Sequence, residues 1–218
     1  MEHFVNITFD VDKLLSSARQ KLCKQGDFTK TFANNQDAIE EINECLSIAK
    51  EELLSVCQPK VFFTLLDAKC KGDHVIVGQT NIQNTPMAQS LNDSSKVFAY
   101  LITLDYDSEM MLKNLKYDYV IYHFQHILGR EVLFDLGRQV HTAYVKQYAD
   151  FDFRRHSIRM RKESFDDSIQ SSINYWNPKM VASLVEHFSD TTIPISVKES
   201  GCFSPLQTIL GVMVANKK

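Results

Sequence analysis

The sequence predicts an α+β fold, a mainly antiparallel mixed sheet with helices packed around it. Three observations predict it. Helical periodicity occupies the chain as far as Pro59 and then gives way to short runs of β-branched and aromatic residues. Those runs are grouped and do not alternate strictly with helices, so sequence neighbours can pair antiparallel and a doubly wound parallel sheet is disfavoured. No internal repeat, low-complexity tract or strong linker interrupts the pattern. One domain over residues 1–218 is the economical division, with a helical N-terminal extension over 1–36 and the body over 37–218.

The first element is an amphipathic helix over residues 10–24, where Val11, Leu14, Leu15, Ala18 and Leu22 fall at helical spacing behind an Asp10 cap. A polar connection over 26–36 follows. From Asp37 the series Ile39, Ile42, Leu46, Ala49 and Leu53 recurs at three and four residues until Pro59, a helix of about five turns. Strands are predicted at 61–67 (VFFTLLD), 74–80 (HVIVGQT) and 97–103 (VFAYLIT), with a Lys71-Gly72-Asp73 turn between the first two. Between the second and third, Pro86 sits in the first turn of a short helix over 86–91.

A helix is expected over 107–115 and a long one over 119–148, where Val120, Phe124, Ile127, Leu128, Val132, Phe134 and Leu136 are mostly three or four apart. Its interior Gly129 and Gly137 each cost about 1 kcal/mol relative to alanine, so close packing or a bend is expected there. Residues 150–172 carry RRHSIRMRK and then ESFDDSIQSS with little apolar period, and are predicted to be a connecting loop with helical fragments. Asn177 and Pro178 cap and open a helix over 178–188. Residues 195–214, ISVKESGCFSPLQTILGVMV, read as a strand, a polar turn and a second strand.

Composition narrows the function classes. The chain is 44% hydrophobic and 23% charged, the balance of an ordinary folded protein. Its formal charge of -3, from 24 basic and 27 acidic residues, lacks the basic footprint of a nucleic-acid binder. The longest apolar runs, 61–66 and 97–102, are far shorter than the roughly 20 residues a spanning helix needs. The first residues lack the basic and apolar regions of a signal peptide, so a cytoplasmic protein without membrane partners is expected. Five cysteines, an odd number with no C-x-x-C pair, argue against a disulfide framework or thiol-rich metal site, and most are expected to be small buried hydrophobes.

Several constellations carry candidate chemistry. His123 and His126 place two imidazoles three residues apart on one helix face, but the third ligand and the general-base carboxylate of zinc helices are missing, so no metal site is assigned. No nucleophile elbow, P-loop or dinucleotide fingerprint occurs, and seven glycines leave little material for a phosphate cradle. Arg154, Arg155, Arg159, Arg161 and Lys162 are followed at once by Glu163, Asp166 and Asp167, which reads as a solvated loop in preference to a docking patch. In SSINYWNP, residues 171–178, the Tyr175-Trp176 pair reads either as part of a helix start or as the wall of a ligand pocket.

The order IQSSINY at residues 169–175, then a helix, then the 195–211 stretch resembles the activation domain of cobalamin-dependent methionine synthase. The family shows R-x-[AS]-P-G-Y, a helix, and then L-T-E-S-x-x-M-x-P-x-x-S-V-S-G. Here Glu199, Ser200, Pro205 and Gly211 match outright and Thr208 stands for Ser. More faintly, residues 39–63 look like the helix-to-strand entry of short free-standing relatives, and residues 97–107 look like their next strand, with Thr103-Leu104-Asp105 where T-L-G is usual. The resemblance therefore extends from about Ile39 over most of the chain.

The resemblance implies a free-standing α+β protein of activation-domain type. In the family this domain binds S-adenosylmethionine and caps the corrinoid domain while inactive cob(II)alamin is reduced and methylated back to its active form. The implied partners are a corrinoid-binding protein or methionine synthase chain that carries the cobalamin, and an external electron donor. The implied contribution is that of a methyltransferase activation component. Carried over by position, the site comprises Glu131, Gln170, Ser172, Tyr175, Glu199, Ser200 and Pro205. Gln170 stands where the family has Arg, so a fork that could pair a carboxylate bidentately is replaced by a neutral amide and weaker S-adenosylmethionine binding is expected. Asn174 replaces Gly and tolerates positive φ better than most residues. The family's later Tyr, beyond the hairpin, has no counterpart before Lys218. The competing expectations are a binding or scaffold protein of the same fold that has lost S-adenosylmethionine, and, more remotely, an unrelated metal enzyme using His123 and His126.

Overall fold

A computed structural model describes residues 10–24, 35–105, 119–156, 176–188 and 194–218. In chain order its elements are α1 (Val11–Lys24), α2 (Gln36–Val56), β1 (Lys60–Lys71), β2 (His74–Val77), β3 (Thr80–Gln83), α3 (Thr85–Gln89), β4 (Lys96–Thr103) and α4 (Tyr119–Gln147). There follow β5 (Phe151–His156), α5 (Pro178–Val185) with a 3-10 turn (Glu186–Phe188), β6 (Ser196–Val197), β7 (Phe203–Ser204) and β8 (Thr208–Lys217). Six strands form one sheet in the order β3-β2-β1-β4-β8-β5, with every neighbouring pair antiparallel. The mixed helix-and-sheet class and the antiparallel pairing are those the sequence predicts.

Strand alternation divides the core into two layers. In β4, Phe98, Tyr100 and Ile102 join Met213 of β8 under α1, α2 and α4. Val97, Ala99 and Leu101 face the opposite way with Val212 and Val214, under α3 and α5. A strand covered on both faces must be apolar throughout, which is why VFAYLIT lacks the polar alternation of a solvated strand. α2 buries Ala38, Ile42, Leu46, Ala49 and Leu53, and its Asn35 cap accepts from the Asp37 and Ala38 amides. α1 adds Leu14 and Ala18 to the same layer, with the Asp10 carboxylate accepting from Lys13 N at 3.1 Å. Asn177 caps α5 by accepting from Lys179 N, with Pro178 in the first turn, as expected.

Three expectations are corrected. HVIVGQT is not one strand: Gly78, at φ +57°, and Gln79 form a two-residue loop joining β2 to β3. A glycine at the first loop position suits the twist of a tight hairpin, so the strand breaks where the apolar run gives no warning. Residues 151–156, expected in a loop, form the edge strand β5, in which Phe153 faces the core and Arg155 reaches Tyr100 Oη at 3.3 Å. The first strand of the 195–214 stretch does not pair with the last: β6 pairs with β7, and β8 inserts between β4 and β5. The helix expected over 107–115 and most of the 150–172 segment lie outside the described residues.

The cysteines also depart from expectation. Cys70, near the end of β1, and Cys202, beside the 199–201 turn, are exposed, and Cys45 and Cys57 are half-buried. None of these four is a fully buried hydrophobe. Cys57 comes closest in behaviour, since burial pushes its thiol up to about 12 and keeps it from ionising near neutrality.

Candidate functional site

The candidate site centres on the 195–211 segment, and its geometry begins with the turn. β6 and β7 pair Ser196 with Ser204 and Val197 with Phe203. Between them Lys198 N donates to Cys202 O and Gly201 N to Lys198 O, both at 2.8 Å, with Gly201 at φ +83°. Only glycine adopts that φ without steric cost, so the turn places the side chains on either side of it outward. Glu199, Ser200 and Cys202 are exposed, whereas Phe203 is buried with Val197, Ile195 and Trp176. Pro205 follows a cis peptide bond and is half-buried.

Below the turn the segment is held firmly. Gln207 is buried; its Nε2 donates to His126 Nδ1 at 3.0 Å and to the His126 carbonyl at 3.4 Å, and its own carbonyl accepts from Leu104 N. Because the amide nitrogen is the donor, His126 Nδ1 accepts and the ring proton sits on Nε2. Burial, with Arg130 and His123 nearby, holds His126 below its usual range and so favours this neutral form. Thr208 Oγ1 donates to Thr103 Oγ1 at 3.0 Å, and Thr103 Oγ1 in turn accepts from Asp105 N. Asp105 adopts φ +42° and pairs with Lys60 at 2.8 Å.

The glycines of this region have distinct reasons. A Cβ on Gly211 would lie 2.0 Å from Tyr100 Cζ, so the ring lies directly across that backbone. A Cβ on Gly129 would meet Gln207 Cδ at 2.9 Å, which explains the close packing expected in α4. At Gly137 the nearest atom would be Tyr100 Oη at 3.6 Å, ordinary contact distance, and packing does not require glycine.

No family model matches the chain, and no curated protein matches it.

The remaining predicted residues are distributed unevenly. Gln170, Ser172 and Tyr175 lie outside the described residues. Glu199, Ser200 and Pro205 share the turn. Glu131 lies in α4 with its side chain 6% exposed, and its carboxylate accepts from Ser17 Oγ at 2.7 Å and pairs with Lys21, both on α1. Trp176 is buried at 1% exposure among Val181, Leu184 and Phe203, which makes it core, and its indole Nε1 has no hydrogen-bond partner among the described residues. Among the described residues no group of three or more His, Cys, Asp or Glu is placed to hold a metal, and no helix is long and apolar enough to cross a membrane. His123 stacks on Tyr119. Sequence reasoning missed Gln207 and Tyr100, the residues that fix the base of the turn. The available signal was a glutamine between the apolar Leu206 and the apolar β8 run, a position at which a buried amide needs specific partners.

Proposed function

We propose that this chain is a protein of the methionine synthase activation type, docking on a cobalamin-carrying partner while its corrinoid is reduced and methylated. The observation that carries the proposal is the Glu199-Ser200 pair, presented to solvent on a turn whose base is locked into the buried end of the sheet. Conserving the geometry of a contact is worth a rigid base, because a preorganised loop loses little freedom on binding. Two details support the kinship at the backbone level. Asp105 takes the left-handed conformation at the position where the family has the glycine of T-L-G, and aspartate tolerates that region better than most residues. Gly211, the last glycine of the family's hairpin pattern, is one that Tyr100 forbids to carry a side chain.

In this role the chain would cap the corrinoid and exclude water, and S-adenosylmethionine when bound would supply the methyl group. Electrons would come from an external donor. A second reading, a docking protein that no longer binds S-adenosylmethionine, is favoured by Glu131, whose carboxylate is already taken up by Ser17 and Lys21. Two measurements on the full chain separate these readings: co-elution with a cobalamin-binding protein in its cob(II)alamin state, and calorimetric titration with S-adenosylmethionine. Co-elution with heat release supports the methyl-donor version. Co-elution without heat at millimolar ligand supports the docking version, and no co-elution overturns the proposal.

A further inference from the structure

The attachment of α1 to α4 has an unusual composition. Glu131 is a carboxylate almost wholly removed from solvent, and its described partners, the Ser17 hydroxyl and the Lys21 ammonium, both come from α1. The Lys21 ammonium also stands 5.5 Å from the centroid of the Phe134 ring, and the Arg130 guanidinium stands 5.9 Å from the same ring. A carboxylate beside an aromatic face is the pairing that recognises an organic cation, by charge and by the ring's quadrupole together.

The described side chains of α1 bury little apolar surface. Of its side chains from Val11 to Lys21 only Leu14 and Ala18 are fully buried, and Lys21 itself is 47% exposed. On α4, Asp135 accepts from Arg138 and Gln139, which, with a weaker influence from Lys13 of α1, hold its carboxyl below the usual range despite its burial. A 14-residue helix is marginal alone, and an element with few buried apolar contacts opens more readily than the core it covers.

We propose that Glu131 and Phe134 form a recognition site for an alkylammonium group, that α1 fills it with its own Lys21, and that α1 detaches as a unit to open it. The inference does not depend on the corrinoid reading. Detachment removes both Ser17 and Lys21 from the Glu131 carboxylate and uncovers it, so an incoming ammonium would replace a lost partner.

Amide hydrogen exchange on the full chain tests the proposal. The α1 amides are expected to exchange on the order of a hundredfold faster than those of β4, since opening α1 spares the sheet. Lys21→Ala is expected to speed α1 exchange about tenfold further while leaving β4 unchanged, the effect of losing one charge-assisted contact. On the unaltered chain, n-butylammonium chloride and an Nα-acetylated lysine amide are compared with potassium chloride at equal ionic strength. Both amines are expected to speed α1 exchange beyond the potassium salt. A larger effect of the lysine derivative would assign the site to a protein lysine, and a larger effect of butylammonium to a free amine. Amines no better than potassium, α1 exchange as slow as that of β4, or no effect of Lys21→Ala would each overturn the proposal.

Discussion

At the scale of single residues, the three glycines around Tyr100 and Gln207 separate what packing demands from what it tolerates. The Tyr100 ring crosses Gly211, and its hydroxyl accepts from Arg155 Nη2. Gly211→Ala would drive a methyl group into that ring in a part of the core with no slack, an overpacking cost of about 2–3 kcal/mol. Thermal unfolding should show a melting temperature lower by roughly 4–12 °C. Gly137→Ala should do the opposite. Its Cβ would find only ordinary contacts, and the helix would gain up to about 1 kcal/mol of propensity. A rise of roughly 2–4 °C in the same measurement is expected, and a fall would mean that α4 sits closer to the sheet than Tyr100 Oη and Ile209 indicate. Sequence alone could not tell these glycines apart, because each is defined by what lies across from it.

At the scale of elements, periodicity carried the prediction where one face dominates and failed where a turn or an edge decides. The long α4, α2 and α5 were legible because apolar spacing, and for α5 the Asn177 cap, are local facts; the Asn35 cap of α2 was not read. β3 was hidden because after Gly78 turns the chain it is only four residues, Thr80–Gln83, of which Ile82 alone is apolar, and β5 because Arg154 and Arg155 mask an alternation of only six residues. Two histidines tie such elements together. His126 on α4 accepts from Gln207, and His156 on β5 meets Ser90 Oγ at 3.1 Å, where the serine hydroxyl already donates to the Met87 carbonyl. Burial lowers both pKa values from 6.5, aided by Arg130 and His123 in one case and Arg154 in the other. The folded chain therefore binds fewer protons than the unfolded chain as the medium becomes acidic. Stability is fully present above about pH 6.5 and declines as pH falls through the lower folded values. Denaturant midpoints should drop between pH 7.5 and 5.5, and His126→Gln should flatten the slope. Asp67 and Asp73, whose carboxyls are lowered by Lys96 and Gln83 respectively, act in the same direction only at lower pH.

At the scale of the whole molecule, the 195–217 segment does two jobs that its sequence runs together. Its second half is a central strand: β8 lies between β4 and β5, in a register that carries Thr103 opposite Thr208 and Lys96 opposite Ala215. That placement was not legible, since a strand whose two partners lie more than a hundred and some sixty residues earlier in the chain leaves no local signature of its neighbours. The first half is an exposed turn, and there the sequence was informative, because its Glu-Ser-Gly run marks a polar turn, in which Ser200 Oγ accepts from Cys202 N at 3.4 Å. Substitutions in the two halves should therefore have opposite readouts. Gln207→Ala removes the amide that fills the space against Gly129 and satisfies His126 Nδ1, a buried loss of about 1–3 kcal/mol, and should lower the melting temperature. Glu199→Ala touches an exposed side chain and should change stability by no more than about 0.5 kcal/mol. If the turn is the docking element, Glu199→Ala should nonetheless weaken co-elution with a cobalamin-carrying protein. A variant that melts normally and still co-elutes at full strength would remove Glu199 from the contact and leave the turn without its proposed role.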